Sequence, residues 1–195
     1  MVDEGGVPTD KLYAKGLELI KKDTITYTRN LLKTLLQHLL YEDHDLMFYD
    51  SFVKKYWDEM HTREFKKEEI CITRKISKPF EDYKYTPVHV KLGKKLWSRG
   101  LKEFFIGMDL QFIIVDDTDK ENKAVWIEDY AGKFDRAFYW EKYVWPPLRR
   151  ILSVIFPSHE WDKFDKSKIA NPNKRRRKKK SDPVEKEPAE VESEE

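Results

Sequence analysis

The chain's 195 residues are 39% hydrophobic and 14% aromatic, enough to pack the core of one domain or somewhat more. Charged residues make up 38%, but the net charge is only +2, so bulk charge does not by itself mark a nucleic-acid binder. Cys71 is the single cysteine and rules out an intramolecular disulfide. No apolar run approaches the ~20 residues of a bilayer span, and the acidic N-terminus is unlike a signal peptide, so a soluble, intracellular protein with no membrane partner is expected.

Residues 1–11 are polar and predict a flexible start. Residues 12–20 suit a short extended segment, and Asp23 or Thr24 a helix N-cap. Leu31, Leu32, Leu35, Leu36, Leu39 and Leu40 fall at helical spacing, and Tyr49, Phe52, Val53, Tyr56, Trp57 and Met60 repeat the pattern. The link at 41–45 is short and polar, which predicts an antiparallel helix pair. Ile70, Ile72 and Ile76 alternate as in a strand that Pro79 ends. Pro87 then opens a helix that Gly100 stops, with Leu92, Leu96 and Trp97 as its buried face. Residues 108–115 read as an apolar strand, 116–122 as a turn and 124–127 as the return strand. A last helical region starts near Asp135, with a kink or restart at Pro146-Pro147. The predicted class is α+β, mostly α-helical, with a small antiparallel sheet over 70–130 in a domain spanning 12–168. Residues 169–195 are low in apolar content and predict a disordered tail.

That tail is sharply divided. Lys174, Arg175, Arg176, Arg177, Lys178, Lys179 and Lys180 form an unbroken basic run, followed by seven acids over 181–195. The run reads as a nuclear localisation signal, a nonspecific DNA tail, or a tail neutralised by its own acidic end. It tilts the expected location towards a nucleus or a viral replication compartment. Residues 1–173 carry 30 basic and 29 acidic side chains, so any DNA-binding face must come from local clustering. Lys15, Lys21 and Lys22 gather before a helix start, where exposed backbone N–H groups also suit phosphate. Arg74, Lys75, Lys78, Lys84, Lys91, Lys94 and Lys95 form a second concentration, interleaved with Tyr83, Tyr85 and His89. The alternative is a solvated charged face.

Lys15-Gly16-Leu17-Glu18-Leu19-Ile20-Lys21-Lys22-Asp23 resembles the signature that opens the thumb of family B DNA polymerases. The resemblance continues in order: Ile72-Thr73-Arg74-Lys75-Ile76 through Asp82-Tyr83-Lys84, then Val88-His89-Val90 with Lys94-Lys95-Leu96, then Gly107 and Phe112-Ile113-Ile114-Val115. Glu128-Asp129-Tyr130, Asp135, Phe138-Tyr139-Trp140, Pro146 and Leu148-Arg149-Arg150 follow, so coverage runs from about 12 to 165. Lys21 and Lys22 stand where the family usually has arginines, which keeps the charge but loses bidentate phosphate geometry, and Val88 stands where proline is common. The palm, fingers and exonuclease motifs are missing, as is a C-terminal cysteine cluster. The resemblance implies a thumb-like domain that holds primer–template duplex DNA through Lys15, Lys21, Lys22, Arg74, Lys75, Lys78, Lys84, His89, Lys91, Lys94 and Lys95. It implies a partner chain carrying palm, fingers and exonuclease, with Mg2+ on that palm and no cofactor on this chain. A stand-alone DNA-binding protein and a pure protein-interaction module are the alternatives.

Other features are read as structural. Asp117-Thr118-Asp119 after an apolar strand looks like a metal-binding polymerase motif, but it follows the thumb signature where the family's catalytic motif precedes it. It reads better as an Asp-rich turn. His38, His44, His61, His89 and His159 show no paired metal-ligand spacing, and Cys71 reads as an inert strand residue. The aromatics Tyr56-Trp57 and those from 140 to 145 are candidates for the surface that meets a partner chain.

Overall fold

The computed structural model describes residues 19, 21–101, 106–116 and 123–164. Two long helices come first, α1 (Thr26–Tyr41) and α2 (Leu46–Thr62). Tyr27 near the start of α1 meets Tyr56 and Glu59 near the end of α2, while His38 near the end of α1 meets Phe48 and Phe52 at the start of α2. The pair is therefore antiparallel, as its short polar link predicts. Asp45 caps α2 by accepting a bond of 2.9 Å from the Phe48 N–H. The expected cap of α1 at Asp23 or Thr24 does not form. Ile25 occupies the cap position without a side-chain bond, because the Asp23 carboxylate is turned to Arg74, 2.8 Å away. The leucine stripe of α1 also narrows along the helix: Leu31, Leu32 and Leu35 are buried, but Leu40 is 59% exposed.

A short α3 (Lys67–Ile70) leads into β1 (Ile72–Lys75), which pairs antiparallel with β2 (Asp109–Ile114), and β2 with β3 (Ala124–Trp126). Ile72 faces Phe112 and Lys75 faces Asp109 in the first register. β1 starts too late to pair with Ile114. The Ile114 N–H instead donates to the buried Tyr139 hydroxyl at 3.1 Å, and the Ile114 carbonyl accepts from the Asp135 N–H at 3.0 Å.

α4 (Val88–Ser98) covers this sheet. Gly93 sets its closest approach, since a Cβ there would lie 3.0 Å from Ile76 Cδ1. The buried seam is Val90, Leu92, Gly93 and Leu96. Trp97, expected on that seam, is 37% exposed, because the helix rolls onto the side lacking a side chain and leaves the Trp97 ring at the edge of Phe80. Gly100 takes φ +94, and the Gly100 and Leu101 N–H groups close the helix on Trp97 and Leu96.

The last helical region is broken in the way Pro146-Pro147 demands. α5 (Arg136–Tyr139) runs into a π-helical stretch, Trp140–Val144, and α6 (Trp145–Ile155) restarts with the prolines in its first turn. Pro147 has no N–H for the Tyr143 carbonyl. The fully buried Thr28 hydroxyl of α1 donates to that carbonyl at 3.2 Å. Helical turns at Phe80–Asp82, Ile127–Asp129 and Trp161–Phe164 complete the described chain.

One hydrophobic core links α1, α2, the sheet and α6, from Ile25 to Trp161. Trp140 is fully buried and Trp145 nearly so, with Trp57 set edge-on against Trp140 at 4.8 Å. The aromatics from 140 to 145 are thus largely interior, not the partner-facing surface their density suggested: Trp140 spends its indole N–H on the Phe164 carbonyl at 2.9 Å. Among the described residues, no helix is long and apolar enough to cross a membrane. The flexible start at 1–11 and the charged tail at 169–195 lie outside the described residues.

Candidate nucleic-acid interface

The turn before α1 is built by its own backbone. The Thr24 N–H donates to the Lys21 carbonyl at 3.2 Å, and the Arg29 guanidinium reaches back to the Lys21 and Lys22 carbonyls at 2.8 and 3.3 Å. This holds Lys21 and Lys22 at the surface. The Lys22 ammonium is paired with Asp109 of β2, so part of its charge is answered within the chain.

Beside this turn lies a groove of about 390 Å³, lined by Lys21, Asp23, Thr24, Arg74, Phe138, Lys142, Tyr143, Pro146, Pro147 and Arg150. Four cations meet one carboxylate there. Lys21 comes from the turn, Arg74 from β1, Lys142 from the π-helical stretch and Arg150 from α6. Arg74 is oriented by Asp23 on one side and lies within hydrogen-bonding reach of Tyr143 on the other. Burial pushes the Tyr143 hydroxyl up, against the opposing pull of Arg74, so it stays a neutral phenol at any working pH. The proline pair and the two aromatic rings give the groove an apolar wall. Such a site can take an anion and stack a flat or apolar group beside it.

The other predicted residues are placed differently. Lys91, Lys94 and Lys95 are exposed and lie at i, i+3 and i+4 on one face of α4. Lys78 sits 4.9 Å over the Tyr83 ring, whose hydroxyl accepts from the Ser77 N–H at 3.0 Å. Lys75 and Lys84 are exposed. His89 is half-buried and stacks on Phe112, with ring centroids 6.3 Å apart. Burial lowers its pKa, and the charge of Arg74 lowers it further, so His89 is a neutral packing ring at pH 7 and not a cation. Lys15, the run from Lys174 to Lys180, and the Asp117 and Asp119 turn lie outside the described residues.

Sequence reasoning missed Lys142, Arg150 and Arg29. Lys142 and Arg150 flank the proline pair eight positions apart on one helical stretch, and that spacing was the available signal. It also missed a histidine pair. His38 and His44, expected to share no ligand spacing, converge on one carboxylate: His38 Nδ1 and His44 Nε2 lie 3.0 and 2.6 Å from Glu42 Oε2. Helix α1 ends at Tyr41, so the chain turns between the two histidines and spacing along a single helix does not describe them. Cys71 is partly buried and burial pushes its thiol pKa up, which agrees with an unreactive thiol.

Similarity to known proteins places the chain in a family. The family model for DNA polymerase family B matches residues 3–155. The DNA polymerase of Pyrococcus horikoshii is 27% identical over 176 residues, covering 86% of this chain and 13% of that protein. The DNA polymerase of Thermococcus kodakarensis is 26% identical over 159 residues, 80% of this chain and 9% of that one. The DNA polymerase delta catalytic subunit of Dictyostelium discoideum is 24% identical over 153 residues, 75% of this chain and 14% of that protein. The chain therefore spans less than a fifth of the length of each. The solved structure of the family B DNA polymerase from Pyrobaculum calidifontis shares the fold at a TM-score of 0.58 and 22% identity, over 66% of this chain and 18% of that one. With the match running through residues 3–155, this chain belongs to DNA polymerase family B.

Proposed function

We propose that this chain is the thumb of a family B DNA polymerase. It grips primer–template duplex through phosphate contacts and supports replication, while palm, fingers and exonuclease, with Mg2+ on the palm, belong to a partner chain. The observation that carries the reading is the meeting of Lys21, Arg74, Lys142 and Arg150 in one groove, from four separate parts of the sequence. A polymerase must hold product of any sequence, and phosphate contacts position a duplex without reading bases. The lysine face of α4 suits the same task.

Primer extension on a primed template tests this, with the chain alone and with a candidate partner carrying the palm motifs. The expected result is no extension alone and longer products with the partner. Extension by this chain alone, abolished by Asp117→Ala, would overturn the reading and make the Asp-rich turn catalytic. Salt-sensitive duplex binding without extension in either mixture would favour a stand-alone DNA-binding protein.

A further inference from the structure

We propose that His38, Glu42 and His44 form a binding site for a divalent transition-metal ion of the Zn2+ class, placed where α1 hands over to α2. The reading does not depend on how the chain meets DNA. Among the described residues, these are the one group of three or more His, Cys, Asp or Glu side chains whose ligand atoms crowd together, all within 4.8 Å of one another. Two imidazole nitrogens and one carboxylate oxygen make a His2Glu donor set. Zn2+ accepts that set at ~2.0–2.2 Å from three protein ligands, with a fourth position left for water.

The spacing suits the ion with small movement. Tetrahedral coordination at those bond lengths separates donor atoms by roughly 3.3 Å. The two nitrogens lie 3.0 and 2.6 Å from Glu42 Oε2. Those two edges are slightly shorter than the bound geometry, the two nitrogens lie within 4.8 Å of each other, and a small shift of the half-exposed Glu42 side chain lets an ion sit among the three. Each imidazole would bind as a neutral ring, with its remaining N–H on the outer nitrogen.

Both rings are held by other groups. His44 stacks flat on Phe48, with centroids 3.6 Å apart and 11° between the planes. The Phe48 backbone is anchored in turn, because its N–H donates to the capping Asp45 carboxylate at the start of α2. The His38 ring packs edge-on against Phe48 at 5.0 Å and Phe52 at 5.8 Å. Their orientation therefore survives without the Glu42 contact, which is the preorganisation a metal site needs. His38 lies in the last turn of α1, and the Glu42 N–H closes that helix on the His38 carbonyl at 3.2 Å. A helix C-terminus favours positive charge. The His38 and His44 side chains are about a quarter exposed, so an ion can enter from solvent. Bound there, it would pin the closed end of the helix pair by joining α1, the link and the residue before the α2 cap.

The test is calorimetric titration of the untagged full chain with ZnCl2, supported by Co2+ absorption to report tetrahedral coordination. The expected result is one saturable ion per chain, an intense tetrahedral Co2+ band, and a melting temperature that rises with Zn2+. Glu42→Gln and His44→Ala should each weaken binding about tenfold or more and remove the thermal shift. His61→Ala should leave binding unchanged. Because His38 packs on two phenylalanines, His38→Ala also perturbs packing, and the exposed Glu42→Gln is the deciding variant. Absence of stoichiometric binding, or binding that survives both Glu42→Gln and His44→Ala, would overturn the proposal.

Discussion

Neutralising two groove cations should change how DNA binding responds to salt, and by a calculable amount. Lys142 and Arg150 are exposed and line opposite sides of the proline break, so Lys142→Gln with Arg150→Gln should leave the fold intact. Each cation that neutralises a phosphate releases counterion, which contributes about −0.9 to the slope of log affinity against log salt. Four groove cations would contribute about −3.6, a loss of roughly 150-fold between 50 and 200 mM salt. Removing two should make the slope shallower by about 1.8, and the wild-type and variant affinities should converge as salt rises. Fluorescence anisotropy with a labelled primer–template, at several salt concentrations and fixed pH, measures this. Two unrelated duplex sequences should lose affinity equally, because phosphates carry no sequence information. Lys54→Gln, on α2 and outside the groove, is the control. An unchanged slope in the double variant would refute the groove as a phosphate site. A loss confined to one sequence would refute the argument that contacts are to the backbone.

Three stability measurements probe the frame that holds the groove. Thr28→Val keeps the shape but strips the Tyr143 carbonyl of its donor at the proline restart, which should cost about 1–3 kcal/mol in urea unfolding. Tyr139→Phe strands the buried Ile114 N–H beyond the end of β1 and should cost a similar ~1–3 kcal/mol; a neutral outcome at either site would mean water or another group replaces the lost partner. Asp50 bonds to His159 at 2.9 Å and to Lys163; burial raises its pKa, but these partners outweigh burial and hold it below the usual carboxylate range. A depressed folded-state pKa gives stability that is present above the unfolded value and lost as pH falls through the folded one. Asp50→Asn should therefore destabilise at pH 6, and the gap from wild type should narrow as melts are taken down into the acid range below the usual carboxylate value; a gap independent of pH would show that charge is not the source.

Local rules carried most of the fold. The leucine and aromatic stripes gave both long helices, the 41–45 link gave their antiparallel pairing, and Pro87 and Gly100 bracketed α4. The failures share a cause. Asp23 is a good cap by composition, but an arginine 51 positions later claims its carboxylate. Trp97 belongs to the seam of α4 by periodicity, but Gly93 lets that helix roll against Ile76 and turns Trp97 outward. The aromatics from 140 to 145 suggest a sticky surface by density, but α2 covers Trp140 with Trp57. In each case a contact distant in sequence outbids a local preference, and local pattern carries no record of it.

The candidate site was legible only where charge density coincided with geometry. Lys21 and Arg74 belong to basic clusters that stand out in the sequence, and both reach the groove. Lys142 and Arg150 sit in segments of ordinary composition, eight positions apart. On a straight helix, eight residues would already put them near one face, two turns and about 12 Å apart. The π-helical turn and proline restart intervene, and both residues line one groove with Lys21 and Arg74. The break that costs the helix backbone bonds thus lies within the groove wall, with Pro146 and Pro147 between the two cations. The Thr28 hydroxyl, by supplying the bond that Pro147 cannot, ties that break to α1 and so to the turn carrying Lys21. Thr28→Val should therefore weaken DNA binding as well as stability, although Thr28 is fully buried. A destabilised variant with undiminished duplex affinity, measured well below its melting temperature, would show that the groove tolerates movement of its own frame.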